Sequence, residues 1–133
     1  DRFEQDILRL GRCVGDAIPE DTKVVVAEPQ RILREWRFVI VNGKPIACSQ
    51  YRMDGKHIEK EGCDDLGAFQ LARQLGKESW QPAKVYVADI AKTPDGAKLI
   101  EIGCFHCAGL YDCDLNAVVR SVSEQAILDA KKP

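Results

Sequence analysis

Nothing in this 133-residue chain draws it strongly toward a partner of one charge. Its 19 lysines and arginines are offset by 21 acids, for a formal net charge of −2. That balance gives no broad electrostatic drive toward nucleic acid or an anionic membrane. No apolar run approaches the roughly 20 residues of a membrane-spanning helix, and no secretory signal is visible. Internal repeats, low-complexity tracts and linkers are absent. The first residue is Asp1 rather than methionine, so an upstream piece is expected. Apolar residues make up 45% of the chain, enough for one domain with a sizeable core and too many for disorder.

The six cysteines are Cys13, Cys48, Cys63, Cys104, Cys107 and Cys113. An even count fits disulfides in a small secreted protein. With an adequate core and no secretory signal, reduced thiols in a cytoplasmic protein are the expectation. Cys104-Phe-His-Cys107 has a zinc-ligand spacing but no second Cys-x-x-Cys half; His106, Cys113 or Cys63 would have to complete it. Small buried thiols are the simpler account, and a zinc-stabilised domain is the weaker alternative.

Phe3, Ile7, Leu10, Val14 and Ile18 recur at helical spacing. Lys23-Val-Val-Val-Ala-Glu28 reads as a short apolar strand ending in an acid. Glu35-Trp-Arg-Phe-Val-Ile-Val41 alternates, with Trp36, Phe38 and Ile40 on an apolar face. Asn42-Gly43 is a two-residue hairpin signal. It places Ala47 opposite Phe38, Cys48 opposite Arg37 and Gln50 opposite Glu35 on the return strand Lys44 to Met53. The polar side of that hairpin then carries Glu35, Arg37, Gln50 and Arg52. Asp54-Gly55 is a turn, and His57 follows in a polar loop. Asp64 or Asp65 caps a helix to about Leu75, with Leu66, Phe69, Leu71 and Leu75 as its main apolar residues. Asp114 caps a last helix from Leu115 to about Ala130, with Val118, Val119, Val122, Ala126 and Ile127 inward. Cys104 to Asp114 is irregular. Hairpins beside helices indicate an α+β fold, an antiparallel β-sheet of hairpins packed against helices.

Lys84 to Gly103 is the most informative stretch. It reads as two strands joined by Pro94-Asp95-Gly96. A turn centred on Asp95 sets Asp89 opposite Glu101 on one face of the hairpin. Two carboxylates facing each other across a strand pair repel. The pairing points to a cation between them, and Mg²⁺ is the usual guest of paired carboxylates in phosphate chemistry. Solvent-facing acids on a half-exposed sheet are the plain alternative.

Several pieces recur in one order: Val24-Val-Val-Ala-Glu28; Glu35-Trp-Arg37 with Tyr51-Arg52 on the return strand; Val87-Ala-Asp89; Leu99-Ile-Glu101-Ile; and Gly109-Leu-Tyr111 before a terminal helix. Together they resemble the C-terminal, nucleotide-closing part of the ATP-grasp domain family, as in bacterial and phage ATP-grasp domain-containing proteins. The likeness covers residues 22–128. It implies a single, partial ATP-grasp-like domain over residues 1–133. It also implies an ATP- and Mg²⁺-dependent ligase piece, in which a carboxylate is activated as an acyl phosphate and attacked by an amine or other nucleophile. By position, Glu28 would contact the ribose at the hinge. Arg37 and Arg52 would stabilise charge on the transferring phosphoryl group, with Glu35 on the same nucleotide-facing surface. Asp89 and Glu101 would hold Mg²⁺, and His106 would approach phosphate. The implied partners are a small-molecule or peptide carboxylate substrate and an upstream lobe of the same protein bearing phosphate-gripping lysines. Nucleic acid and membrane are not among them. The family usually has Glu-x-Asn on its second metal strand, whereas this chain has Gly103. Gly103 and the missing lysines sustain the alternative of a non-catalytic ATP-grasp-like binding or interaction module.

Overall fold

The computed structural model describes residues 22, 23, 26 and 28–131. In chain order these form β1 (Arg34–Val41), β2 (Lys44–Met53), β3 (Lys56–Glu61), α1 (Leu66–Leu75), β4 (Val85–Thr93), β5 (Gly96–Cys104) and α2 (Leu115–Ala130), with a 3-10 turn at Phe105–Cys107. The fold is α+β. All five strands lie in one antiparallel sheet of order β3-β2-β1-β4-β5, with β1 central. Asn42 and Gly43 both take positive φ, 47° and 70°, as the first hairpin turn requires. Asp54 and Gly55 do the same at the second, with φ of 47° and 76°.

The central strand is buried on both faces. Trp36, Phe38 and Ile40 join Tyr86, Ala88 and Ile90 beneath Ala68 and Ala72 of α1. On the other face Val39, Val41 and Val87 pack with Cys113 and with Val118 of α2. The helix starts are fixed by local chemistry. Asp65 accepts from the Ala68 N–H and Asp114 from the Ala117 N–H, each satisfying a donor that the helix leaves unpaired. At its far end α1 abuts the first hairpin turn. Gly76 and Gly43 approach so closely that a Cβ on either would collide with the other's carbonyl oxygen.

The first hairpin departs from the expected register. The pairing implied by Asn42-Gly43 holds for Val41 with Lys44 and Ile40 with Pro45, and then a bulge intervenes. Phe38 faces Cys48, Arg37 faces Ser49 and Trp36 faces Gln50. Gln50 is therefore buried across from Trp36, not on the polar side with Glu35. A second irregularity sets Arg52 opposite Glu35 and leaves Tyr51 as the extra residue.

His57 lies in β3, paired with Arg52, and not in a loop. The strand Lys-His-Ile-Glu-Lys-Glu has one apolar residue and no alternation to betray it. Its charges suit an exposed sheet edge, where they discourage further pairing. At the other edge, β5, Leu99 and Ile100 are exposed.

Both helices are rotated from expectation. α1 seats on Ala68 and Ala72, because Trp36 and Phe38 already fill the space beneath it. Leu71 and Leu75 pack at its margins, while Leu66 and Phe69 are exposed. In α2, Val118 and Gln125 are buried, and Val119, Ala126 and Ile127 face out. Gln125 is held inward by the Asn42 side chain and by Asp129, to which its Nε2 donates at 2.9 Å.

The helix expected over Phe3 to Ile18 lies outside the described residues. So do Val24, Val25 and Ala27 of the Lys23–Glu28 strand. The described members of that run, Lys23, Val26 and Glu28, are exposed and not in a strand. Apolar β-branched composition alone makes no strand without a ladder partner, and no described residue pairs with them. Cys48, Cys63, Cys104, Cys107 and Cys113 are all free thiols. Cys113 is buried as expected, but Cys104 and Cys107 are exposed, because β5 ends at the sheet edge and the 3-10 turn faces out.

Candidate functional site

One rung crosses all five strands. Glu61 of β3 faces Ser49 of β2, Ser49 faces Arg37 of β1, Arg37 faces Asp89 of β4, and Asp89 faces Glu101 of β5. Directly opposed residues share a face of the sheet. This rung lies on the α2 side, beyond the apolar patch that α2 covers.

Its centre is an ion pair. Arg37 Nε donates to Asp89 Oδ1 at 2.8 Å and Nη2 donates to Oδ2 at 2.7 Å. Nη1 donates to the Gly109 carbonyl at 3.0 Å. A guanidinium has five N–H groups, so two are not taken up by these partners. Hydrogen bonding to Asp89, outweighing burial, raises the Arg37 pKa and keeps it charged at any ordinary pH.

The bulge brings Tyr51 into this cluster. Its hydroxyl lies 2.8 Å from Glu35 Oε2 and 3.3 Å from Asp89 Oδ2. Burial, and then the hydrogen bond to Glu35, push the Tyr51 pKa up, so the phenol stays protonated and donates. Arg52 Nη1 lies 3.4 Å from Glu35 Oε1. Glu35 thus accepts from Tyr51 and Arg52 together.

The irregular loop after β5 folds over the rung. The Asp112 N–H donates to Ser49 Oγ at 3.2 Å, and Asp112 Oδ2 accepts from the Glu61 N–H at 3.1 Å. These bonds hold Tyr111, at a positive φ of 52°, against the sheet. Its ring stacks on Tyr51 with centroids 4.9 Å apart and planes 11° from parallel. The Arg37 guanidinium carbon sits 5.1 Å from the Tyr111 ring and 5.8 Å from the Tyr51 ring, within cation–π range.

The structure gathers Arg37, Arg52, Glu35, Asp89 and Glu101 on this surface. Glu101 is exposed and makes no hydrogen bond or ion pair among the described residues, whereas Asp89 is buried. Glu28 and His106 are exposed, and neither bonds to the cluster. Tyr51 and Tyr111 carry more of the site's geometry than their mention in the sequence motifs suggested. Only the bulge, which is silent in sequence, aims Tyr51 at Glu35. No group of three or more His, Cys, Asp or Glu side chains suited to a metal ion occurs among the described residues. A cavity of about 450 Å³ lies instead by the Asn42-Gly43 turn, beside Lys44, Arg73 and Lys77. No helix among the described residues is long and apolar enough to cross a membrane.

A family model matches residues 2–122: the ATP-grasp domain, R2K clade family 3. Comparison with the curated proteins and with the solved structures found no match.

Proposed function

The chain belongs to the R2K clade of the ATP-grasp domain family, and from that premise we propose that it closes over ATP in a ligase-type reaction. The reading is an ATP- and Mg²⁺-dependent ligase piece, acting with an upstream lobe on a small-molecule or peptide carboxylate. The carboxylate is activated as an acyl phosphate, which an amine or other nucleophile then attacks. The observation that carries it is the Arg37–Asp89–Glu101 rung, a fixed ion pair that ends in an exposed, unengaged carboxylate.

Phosphoryl transfer demands positioning and neutralisation of oxygen charge more than a protein nucleophile. Arg37 suits that task, because Asp89 and the Gly109 carbonyl fix its plane while two N–H groups stay available. Arg52, half-exposed at the rim and leaning on Glu35, supplies a second positive charge. The donor set also fits Mg²⁺. Glu101 is unengaged, and Asp89 Oδ1 accepts only one hydrogen bond, so a lone pair remains. Mg²⁺ is commonly held by one or two carboxylates, with water and phosphate oxygens completing six ligands. When bound, the ion would neutralise phosphate charge. Asp89 and Glu101 would hold it, while Arg37 binds and orients the phosphate. Glu28 at the ribose and His106 near phosphate rest on family position alone.

The test is a thermal shift of the full chain with ATP, with and without Mg²⁺. A rise in melting temperature that needs both, and that Glu101→Gln abolishes, supports the reading. No shift at millimolar ATP and Mg²⁺ would overturn it for this chain. A non-catalytic binding module is the second reading, favoured by Gly103 beside Glu101 and by the full engagement of Asp89 Oδ2. It expects an ATP shift indifferent to Mg²⁺, or none.

A further inference from the structure

Two thiols outside the polar rung are held against each other. Cys48 is on β2 and Cys63 follows β3 by two residues. The N–H of the intervening Gly62 donates to the Cys48 carbonyl at 2.8 Å, closing the end of the β2–β3 ladder. The two thiols are close enough for each to perturb the ionisation of the other. Both residues are half-buried, and both line a cavity of about 180 Å³ walled by Phe38, Ile46, Gly62 and Phe69. The site is apolar, small and open enough for a neutral oxidant of the size of hydrogen peroxide.

We propose that Cys48 and Cys63 are a peroxide-responsive dithiol that closes to an intramolecular disulfide. The two sulfurs have different parts. Interaction with Cys48 lowers the Cys63 pKa and favours its thiolate; interaction with Cys63, together with burial, raises that of Cys48. Cys63 is therefore the attacking sulfur and Cys48 the resolving one. The Cys63 thiolate attacks one peroxide oxygen, the O–O bond breaks, and the departing hydroxide takes up a proton. Water and a Cys63 sulfenic acid result. The Cys48 sulfur then gives up its proton and attacks the Cys63 sulfur. An S–S bond forms, the S–O bond breaks, and the oxygen leaves as a second water. Two thiols lose two electrons, and one peroxide becomes two waters.

The bridge encloses a loop of roughly 15 residues, most of the β2–β3 hairpin, and so restricts the unfolded chain. It also pins the residues just before the Asp65 cap to β2. Cys104 and Cys107 are nearer in sequence and more exposed, so they serve as an internal competitor.

The experiment treats the reduced full chain with hydrogen peroxide, blocks remaining thiols with N-ethylmaleimide, and maps peptides by mass spectrometry. The expected result is a Cys48–Cys63 crosslink, reversed by dithiothreitol, with a melting temperature raised by about 10 °C. In Cys48→Ser, Cys63 should instead accumulate as a dimedone-trapped sulfenic acid. Preferential bridging of Cys104 to Cys107, or a Cys63 that stays open to N-ethylmaleimide while other thiols oxidise, overturns the proposal. Cys104→Ser/Cys107→Ser, altered only at exposed positions, should still form the bridge; losing it there also overturns the proposal.

Discussion

Arg37 and Asp89 face each other across β1 and β4, and the guanidinium fork meets both carboxylate oxygens, at 2.8 Å and 2.7 Å. The carboxylate side chain is 5% exposed and the arginine 14%. Removing the cation leaves a buried anion with only the Tyr51 hydroxyl to serve it. Arg37→Ala should therefore destabilise the fold by about 3 kcal/mol, measured by urea unfolding. Arg37→Lys should recover only part of the loss, because an ammonium group cannot bond both oxygens in parallel. Arg37→Ala/Asp89→Ala should cost less than the sum of the single changes.

Cys113 gives a pH-dependent signature. Burial pushes its pKa up from 9.0 to about 11. Between those values the unfolded chain has lost the proton while the folded chain keeps it, so stability falls as pH rises. Below pH 9 the contribution is fully present; above about pH 11 it is gone. The loss amounts to about 2 kcal/mol. Cys113→Ala should be less stable at neutral pH because of the cavity, yet show a flatter profile between pH 9 and 11 in chemical denaturation.

Glu101 and Gly103 separate binding from stability. Glu101 is exposed and unengaged, so Glu101→Gln should leave the ligand-free melting temperature unchanged. It should weaken Mg²⁺-dependent ATP binding by about tenfold, close to 1.4 kcal/mol, by calorimetry. Gly103→Asn should act in the opposite direction by adding an oxygen ligand. Its Cβ would meet a Val87 methyl at 3.2 Å and Glu101 Oε1 at 3.6 Å. The methyl belongs to the buried Val87 of β4 and must yield by a few tenths of an ångström, at a small cost in stability. A gain in affinity that disappears without Mg²⁺ is the expected outcome.

Gly76 tests the contact between the first hairpin turn and the end of α1. Its φ of −66° is one that any residue adopts, so propensity alone favours alanine. The Gly43 carbonyl, however, occupies the space a Cβ needs. Gly76→Ala should destabilise by roughly 2 kcal/mol, in the range of an overpacked core site. A thermal melt decides the sign.

Some of this was legible in sequence because it depends on short-range signals. Asp65 and Asp114 cap the helices as read, and Asp89 does face Glu101. That last agreement has an unexpected basis. The turn is the two residues Pro94 and Asp95, with Thr93 paired to Gly96, and a bulge after Asp89 restores the expected pairing. In the first hairpin the bulges have no such compensation, and they moved Gln50 into the core and Tyr51 onto the polar face. A bulge adds one residue without any compositional mark, so faces beyond it cannot be counted from the turn. The helix faces were misjudged for another reason. Size suggested leucine and valine at the contacts, but the aromatic residues of β1 had already filled that volume.

The two margins of the sheet are unlike, and this gives the domain a direction of growth. β3 offers exposed side chains of both charges that any added strand would have to desolvate. Among the described residues β5 has no strand on its outer side, and Leu99 and Ile100 are exposed there. A sixth strand, whether from another part of a larger protein or from a second molecule, would therefore join next to Glu101, at the same margin where the charged rung ends.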